Sequence, residues 1–185
     1  RLREATIHAP RLYGFHATLK APMVLRPGLS ESALRSAARD FASRAPRITG
    51  LRLQLSQVGR FLALTTTQPS PDLNALAAGC VLSFDAFRRP LQANERARRK
   101  PETLTDRQRS YLDRWGYPFV LDDFRFHLTL CSTAEPADLS RLRTVLAPAL
   151  DSILQEPFAI DAIALVMQPT RDQPFKIVEH YLLGQ

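Results

Sequence analysis

The tetrapeptide His-x-Thr-Leu occurs twice in this chain, as residues 16–19 and again as residues 127–130. Each copy directly follows an aromatic residue, Phe15 or Phe126. Successive side chains of an extended strand point to opposite faces. Each copy therefore predicts a strand with an apolar face for a core and a polar face that pairs an imidazole with a hydroxyl.

The same alternation assigns the neighbouring residues to faces. The polar faces are predicted to carry His16, Thr18 and Lys20 in the first copy, and Arg125, His127, Thr129 and Cys131 in the second. The apolar faces are predicted to carry Phe15, Ala17 and Leu19, and then Phe126, Leu128 and Leu130. Two such strands facing one cleft would supply two titratable groups and two hydroxyl donors.

Length and composition favour an ordinary globular protein. The chain has 185 residues and 45% hydrophobic residues, which suits one domain with a substantial core. No apolar run approaches the length of a membrane span, so we expect a soluble, cytoplasmic protein without a membrane partner. Cys80 and Cys131 lack the spacing of a disulfide framework or a thiolate zinc site.

The chain is strongly basic, with a formal net charge of +7. Most of its cations are arginines, whose planar fork suits contact with phosphate, and a positive field attracts anionic ligands. Arginine richness can equally reflect the base composition of a genome. The run from Arg88 to Lys100 could steer a polyanion, although Glu95 interrupts it and a solvated helix surface is the commoner role.

The order of predicted elements repeats. In the first half, Ser30 is a candidate N-cap for a helix over residues 31–45, and a hairpin turning near Gly59 follows. In the second half, a helix over residues 136–150 precedes strands over residues 158–167 and 175–183. Both halves are thus predicted as strand, helix, strand, strand, which indicates an internal duplication with pseudo-twofold symmetry.

Two imidazoles facing one cleft could perform acid and base catalysis together. The ordinary pKa of histidine, about 6.5, allows one ring to be neutral and the other protonated near pH 7. Each threonine could donate a hydrogen bond to a phosphoryl oxygen whose charge grows in the transition state. A single strand histidine is more often a hydrogen-bonded core residue, but a duplicated motif in matching halves is hard to explain by packing.

The two motifs resemble those of the two-histidine (2H) phosphoesterase superfamily, which includes RNA ligase-like 2′,3′-cyclic nucleotide phosphodiesterases. The segment Tyr-Gly-Phe-His-Ala-Thr-Leu-Lys-Ala-Pro at residues 13–22 is similar to the first motif of a branch encoded beside bacterial phosphonate-degradation genes. Trp-Gly-Tyr-Pro at residues 115–118, followed by residues 123–130, is similar to the second motif of that branch. The resemblance covers essentially the whole chain.

The resemblance implies an α+β, bilobal fold of two antiparallel sheets with outer helices around a central cleft. We expect a single two-lobed domain over residues 1–185, with a first half of about 11–66, a helical connector of about 67–121 and a second half of about 122–185. Family members usually begin with a further strand, so we expect that an upstream strand is missing here.

By this resemblance His16 and His127 are the catalytic acid and base, and Thr18 and Thr129 are phosphate ligands. Three further residues are weaker candidates for substrate binding, each with a structural alternative. Lys20 could neutralise phosphate or be a solvated cation. Arg125 could bind a second anionic group or form an ion pair with Asp122, Asp123 or an acid of the connector. Tyr13 could stack on a sugar or base, or line the core.

The predicted function is hydrolysis or transesterification of a phosphodiester without metal or other cofactor. A small cyclic phosphate is favoured, and a sugar phosphate from phosphonate breakdown is the leading substrate class. RNA end processing at a 2′,3′-cyclic phosphate is an alternative, and a non-catalytic phosphate-binding module is another. The sequence contains no Walker-type glycine loop and no His-Glu-x-x-His zinc signature. The sequence leaves the oligomeric state open.

Overall fold

The structure is a computed structural model that describes residues 14–131, 135–170 and 172–185. It is a mixed α/β structure with antiparallel strand pairs, as the sequence predicts. The chain folds as two compact units. Unit 1 contains the described residues up to Ala17, Arg47–Ser70 and Phe126–Leu183, and unit 2 contains Thr18–Pro46, Pro71–Arg125 and Gly184–Gln185. The predicted boundaries of the two halves and the connector stay predictions.

Five α-helices lie in the described ranges: α1 (Glu31–Arg44), α2 (Pro71–Phe84), α3 (Ala93–Ala97), α4 (Asp106–Trp115) and α5 (Pro136–Gln155). Their ends follow local signals. The Ser30 hydroxyl accepts a hydrogen bond from the Ala33 amide, and Thr105 forms a capping box with Gln108. Gly116 ends α4 in the left-handed conformation that glycine adopts without strain. The predicted starts of α1 and α5 are confirmed. None of the described helices has the length and apolar character needed to cross a bilayer.

The part of the chain that the structure describes has seven strands in three antiparallel sheets: β1 (Ile48–Leu51), β2 (Leu53–Val58), β3 (Phe61–Thr66), β4 (Leu128–Thr129), β5 (Phe158–Ile160), β6 (Ala162–Met167) and β7 (Lys176–Leu182). All seven lie in unit 1. β1 pairs with β5, β6 pairs with β7, and the remaining sheet has the order β2-β3-β4. The predicted hairpin is confirmed, because Val58 pairs with Phe61 across a two-residue turn that begins at Gly59.

The core of unit 1 lies between α5 and the β2-β3-β4 sheet. Its centre is the buried cluster of Leu62, Cys131, Leu139 and Leu142, against which the half-buried Leu55, Phe61 and Leu146 pack. The Leu62 amide donates to Cys131 Sγ at 3.3 Å, and the Leu130 amide donates to the Leu62 carbonyl at 2.9 Å. These contacts fix the chain immediately after β4.

The core of unit 2 is formed largely by α1 and α2. Six apolar residues of α2 are buried at helical spacing: Leu73, Leu76, Ala77, Cys80, Val81 and Phe84. The rings of Phe41 and Phe84 meet edge to face with centroids 5.4 Å apart. Both helices therefore bury one apolar face in this core.

Two predictions about the motif strands are wrong. Residues 15–19 are not part of a strand, and Phe15 is 64% exposed instead of facing a core. Gly14 precedes them with φ +68°, outside the extended region. Cys131, predicted to lie on the polar face, is buried among leucines because it lies beyond the end of β4 at Thr129, where the alternation of faces no longer applies. Tyr13 lies outside the described residues.

We predict that Leu139→Ala lowers the free energy of unfolding by about 2–4 kcal/mol, because it leaves a cavity beneath the β2-β3-β4 sheet. Val145 lies on the same helix and is 63% exposed, so Val145→Ala is the matched control and should change stability by less than about 0.5 kcal/mol. Urea unfolding followed by circular dichroism measures both. Equal effects of the two substitutions would contradict this description of the core.

Candidate functional site

The second motif lies on the edge strand of the three-stranded sheet. Thr129 pairs with Ala63 and Leu128 pairs with Leu64. Phe126 and Leu128 are buried, whereas His127 and Thr129 are half-buried. The predicted alternation of burial is therefore confirmed from Phe126 to Thr129, with His127 directly before β4 and Thr129 at its end.

The His127 ring contacts an aromatic side chain of the neighbouring strand. Its centroid lies 5.7 Å from that of Phe61, and the two rings are tilted by 51°. Phe61 also packs against the buried leucine cluster, and this contact restricts the position of its ring. Phe61 thus limits the orientations available to the imidazole.

A pair of hydroxyl side chains lies on the same face of this sheet. Ser56 pairs with Ala63 across β2 and β3, and Ala63 pairs with Thr129 across β3 and β4, so these three residues form one row. Thr65, two residues beyond Ala63, points to the same face. Its Oγ1 lies 2.7 Å from Ser56 Oγ in a half-buried hydrogen bond.

The first motif is organised by a local contact. His16 is exposed, and its Nδ1 lies 3.1 Å from the Gly14 carbonyl oxygen. Since a carbonyl only accepts, Nδ1 carries the proton in this contact, and in the neutral ring Nε2 is then the nitrogen without a proton. The positive φ of Gly14 turns the backbone just before the motif, where a side chain would be strained.

The predicted site residues are divided between the two units. His16, His127 and Thr129 belong to unit 1. Thr18, Lys20 and Arg125 belong to unit 2, with Thr18 and Arg125 exposed. The boundary between the units falls inside the first motif, between Ala17 and Thr18.

Lys20 lies in a charged cluster of unit 2. Its ammonium donates to the Val81 carbonyl at 3.3 Å and lies 3.8 Å from the Asp85 carboxylate, which the Arg88 guanidinium contacts at 2.7 Å. Lys20 and Arg88 side chains are each 12% exposed, and that of Asp85 is 16% exposed. Burial lowers the pKa of Lys20 below its ordinary value, and Asp85 partly opposes this effect. These contacts favour the structural role for Lys20.

The acids near Arg125 have other partners. Asp123 accepts two hydrogen bonds from the Arg107 guanidinium, at 3.1 and 2.9 Å. Asp122 accepts a hydrogen bond from the Tyr111 hydroxyl at 2.9 Å. The turn before the second motif is therefore tied to α4 through both carboxylates.

The basic run of the connector is partly neutralised by ion pairs. Arg88 pairs with Asp85, Arg89 with Glu95, and Arg96 with Asp113. The guanidinium of Arg99 lies 4.9 Å from the centre of the Tyr117 ring. Several of these arginines thus hold unit 2 together, which weakens the case for a continuous polyanion surface.

Cysteine and metal chemistry find little support in the described residues. Within them, no group of three or more His, Cys, Asp or Glu side chains is arranged to hold a metal ion. Burial raises the pKa of the Cys80 thiol to about 12, so it stays protonated at neutral pH. Cys131 lies in the leucine cluster.

Comparison with known proteins gives the family. A family model described as "Protein of unknown function (DUF1045)" matches residues 18–176, so the chain belongs to the DUF1045 family. It is 36% identical over 169 residues to a ribose 1,5-bisphosphate phosphokinase PhnN of Janthinobacterium sp. (strain Marseille), covering 89% of this chain and 37% of that protein. It is also 30% identical over 171 residues to a PhnN of the same description from Laribacter hongkongensis (strain HLHK9), covering 92% of this chain and 39% of that protein. The chain thus spans under two fifths of each relative.

Sequence reasoning missed three features near the motifs: the ring of Phe61, the Ser56–Thr65 hydroxyl pair and the Gly14 carbonyl. The first two come from β2 and β3, whose register against β4 no local pattern reveals. Gly14 did carry a signal, because a glycine two residues before the motif histidine indicates a special backbone conformation.

We predict that Asp85→Asn lowers the free energy of unfolding by about 3–5 kcal/mol, because it leaves two poorly solvated cations without a carboxylate. Lys20→Met is the matched comparison. It removes one of these cations and keeps the Asp85–Arg88 pair, so we expect a change within about 1 kcal/mol. Urea unfolding at pH 7 measures both. A larger loss of unfolding free energy for Lys20→Met than for Asp85→Asn would contradict the conclusion that the Asp85 carboxylate stabilises the two buried cations.

Proposed function

We propose that this protein is a phosphoesterase that opens a small cyclic phosphodiester by paired-histidine acid and base catalysis. The observation that carries the proposal is the duplicated His-x-Thr motif, whose second copy presents His127 and Thr129 together on one face of a packed sheet. The membership of His16 and His127 in the same compact unit supports their cooperation.

In the proposed reaction, the neutral imidazole takes a proton from water while the water oxygen attacks phosphorus. The bond between phosphorus and one ring oxygen breaks, and the protonated imidazole gives its proton to that departing oxygen. The hydrogen bond from His16 Nδ1 to Gly14 leaves Nε2 as the nitrogen that exchanges the proton. The two rings exchange roles in the reverse direction.

Thr18 and Thr129 are proposed to donate hydrogen bonds to the non-bridging phosphoryl oxygens. A hydroxyl is a neutral donor, and donors aimed at the charge that develops on these oxygens stabilise the transition state. Thr129 is half-buried, so water competes less for its hydroxyl than on an open surface. The proposal gives no role to a metal ion.

We also propose the bilobal arrangement with a pseudo-twofold repeat. In unit 1, strands of one predicted half pair with strands of the other. β1 of the first half pairs with β5 of the second, and β3 of the first half pairs with β4 of the second. The second motif lies beside the β2–β3 hairpin, because β4 pairs with β3. If the repeat holds, the first motif would lie beside the β6–β7 hairpin in the same way. The pairing of strands between the two halves supports the proposal that both motifs line one cleft.

A ribose phosphate is the substrate class we propose. The two PhnN relatives carry the name of an enzyme acting on ribose 1,5-bisphosphate, and the matched region is 37% and 39% of their lengths. This chain has no Walker-type glycine loop. We therefore propose that the matched region contributes a separate activity on a related sugar phosphate, and the motif resemblance suggests that this sugar phosphate comes from phosphonate breakdown.

We predict that His16→Ala and His127→Ala each lower kcat on ribose cyclic phosphate by about 10²–10⁴-fold, since each removes one half of the acid and base pair. His180→Ala is the matched control because His180 is exposed on β7 and no threonine follows it two residues later. It should leave kcat within about twofold of the wild type. Formation of the phosphomonoester product from ribose and nucleoside 2′,3′-cyclic phosphates, followed by phosphorus NMR with a chelator present, measures the effect.

Several outcomes would count against this function. Full turnover in either motif variant would exclude paired-histidine catalysis. Turnover confined to RNA ends, falling steeply with salt, would favour end processing, because polyanion binding releases counterions. Phosphate binding without turnover of any substrate would leave only a binding module.

We further predict that kcat/KM for the wild type follows a bell-shaped profile between about pH 5 and 8, the range in which imidazoles titrate. The low-pH limb reports loss of the base and the high-pH limb reports loss of the acid. Each single alanine variant should lose one limb of whatever residual profile remains. A flat wild-type profile from about pH 5 to 9 would contradict two titrating histidines.

A further inference from the structure

We propose that the Ser56–Thr65 hydroxyl pair forms a subsite that binds a sugar hydroxyl of the substrate beside His127. This inference deepens the proposed function and rests on it. It is carried by the register of the β2-β3-β4 sheet and by the hydrogen-bonding capacity of the two hydroxyls.

The register brings the pair next to the catalytic face. Ala63 pairs with Thr129 and Leu64 pairs with Leu128 at the end of the ladder, and Thr65 and His127 are the residues that directly flank this last pair. Gln54 pairs with Thr65 on its other side. One row therefore runs Ser56, Ala63 and Thr129 across the three strands, and the next pair of β2 and β3 on the same face, Gln54 and Thr65, lies toward the end of the ladder that His127 precedes.

The chemistry of the pair leaves capacity for a ligand. Two hydroxyls carry two protons, and the 2.7 Å contact between Ser56 Oγ and Thr65 Oγ1 uses one of them. The second proton and several lone pairs remain for a further partner. A half-buried hydroxyl pair that can both donate and accept matches a sugar hydroxyl, which also does both.

The charge of this face favours a neutral polar group over a second phosphate. The side chains of β2 and β3 on the His127 face carry no formal charge: Gln54, Ser56, Val58, Phe61, Ala63 and Thr65. A phosphate would find no cation on these two strands, whereas a hydroxyl needs only donors and acceptors. The subsite therefore selects the sugar rather than the reacting phosphate.

The test compares two cyclic phosphates that differ in their hydroxyl groups. For ribose cyclic phosphate, Thr65→Val should raise KM by about 3- to 10-fold with little change in kcat, the loss expected for one neutral hydrogen bond. For ethylene cyclic phosphate, which has no hydroxyl, the same substitution should leave KM unchanged. Thr65→Ser should restore the wild-type KM because it keeps the hydroxyl. Equal effects on both substrates, or none on either, would overturn the inference.

Thr66→Val is the matched control, since Thr66 is the next residue of β3, is also half-buried and points to the opposite face. It should leave KM for both substrates unchanged. If the wild type turns over neither substrate, the proposed function fails, and calorimetric binding of ribose 5-phosphate then tests the subsite alone. Affinity weakened by Thr65→Val but not by Thr66→Val would support the subsite. Equal affinities, or no binding to the wild type, would overturn it.

Discussion

The antiparallel pairing of β3 with β4 is the constraint on which the second motif depends. It joins Ala63 to Thr129, far apart in the sequence, and the hydrogen bond from the Leu130 amide to the Leu62 carbonyl extends it. Leu62 is nearly fully buried beside Cys131, so the strand that positions His127 is anchored in the core beneath it. Without this pairing, the two residues of β4 would have no ladder to hold them extended.

Local signals made the helices predictable. Ser30 and Thr105 cap α1 and α4, and the apolar spacing of α2 matches its buried residues one by one. Strand lengths were less predictable because they depend on distant partners. The apolar run from Phe158 to Met167 divides at Asp161, whose carboxylate binds Arg47 and whose carbonyl accepts from the Leu183 amide. Both contacts are remote in sequence, so periodicity alone could not place the break.

The candidate site, too, could be predicted only in part from the sequence. Strict alternation around the second motif was enough to predict that Phe126 and Leu128 are buried while His127 and Thr129 face the other way. The first motif has the same His-x-Thr-Leu pattern, but Gly14 turns the backbone and Phe15 is exposed. The contact of Phe61 with the His127 ring, and the position of Ser56 and Thr65 on the sheet face that carries Thr129, follow from the register of three strands. A register is set by the whole sheet and its packing, and no single segment encodes it.

The charge of the chain bears on substrate size. The +7 net charge suggests a polyanion ligand, yet Arg88, Arg89 and Arg96 are matched by carboxylates within unit 2. A cyclic phosphodiester carries one negative charge, and a pair of histidines with one ring protonated carries one positive charge, so the proposed site balances its substrate without any arginine. Neutral hydroxyls can then hold the remaining oxygens without leaving an unpaired cation when the product departs. Such a site favours a small monoanion over a nucleic-acid strand, because neutral donors provide too little attraction for its many phosphates.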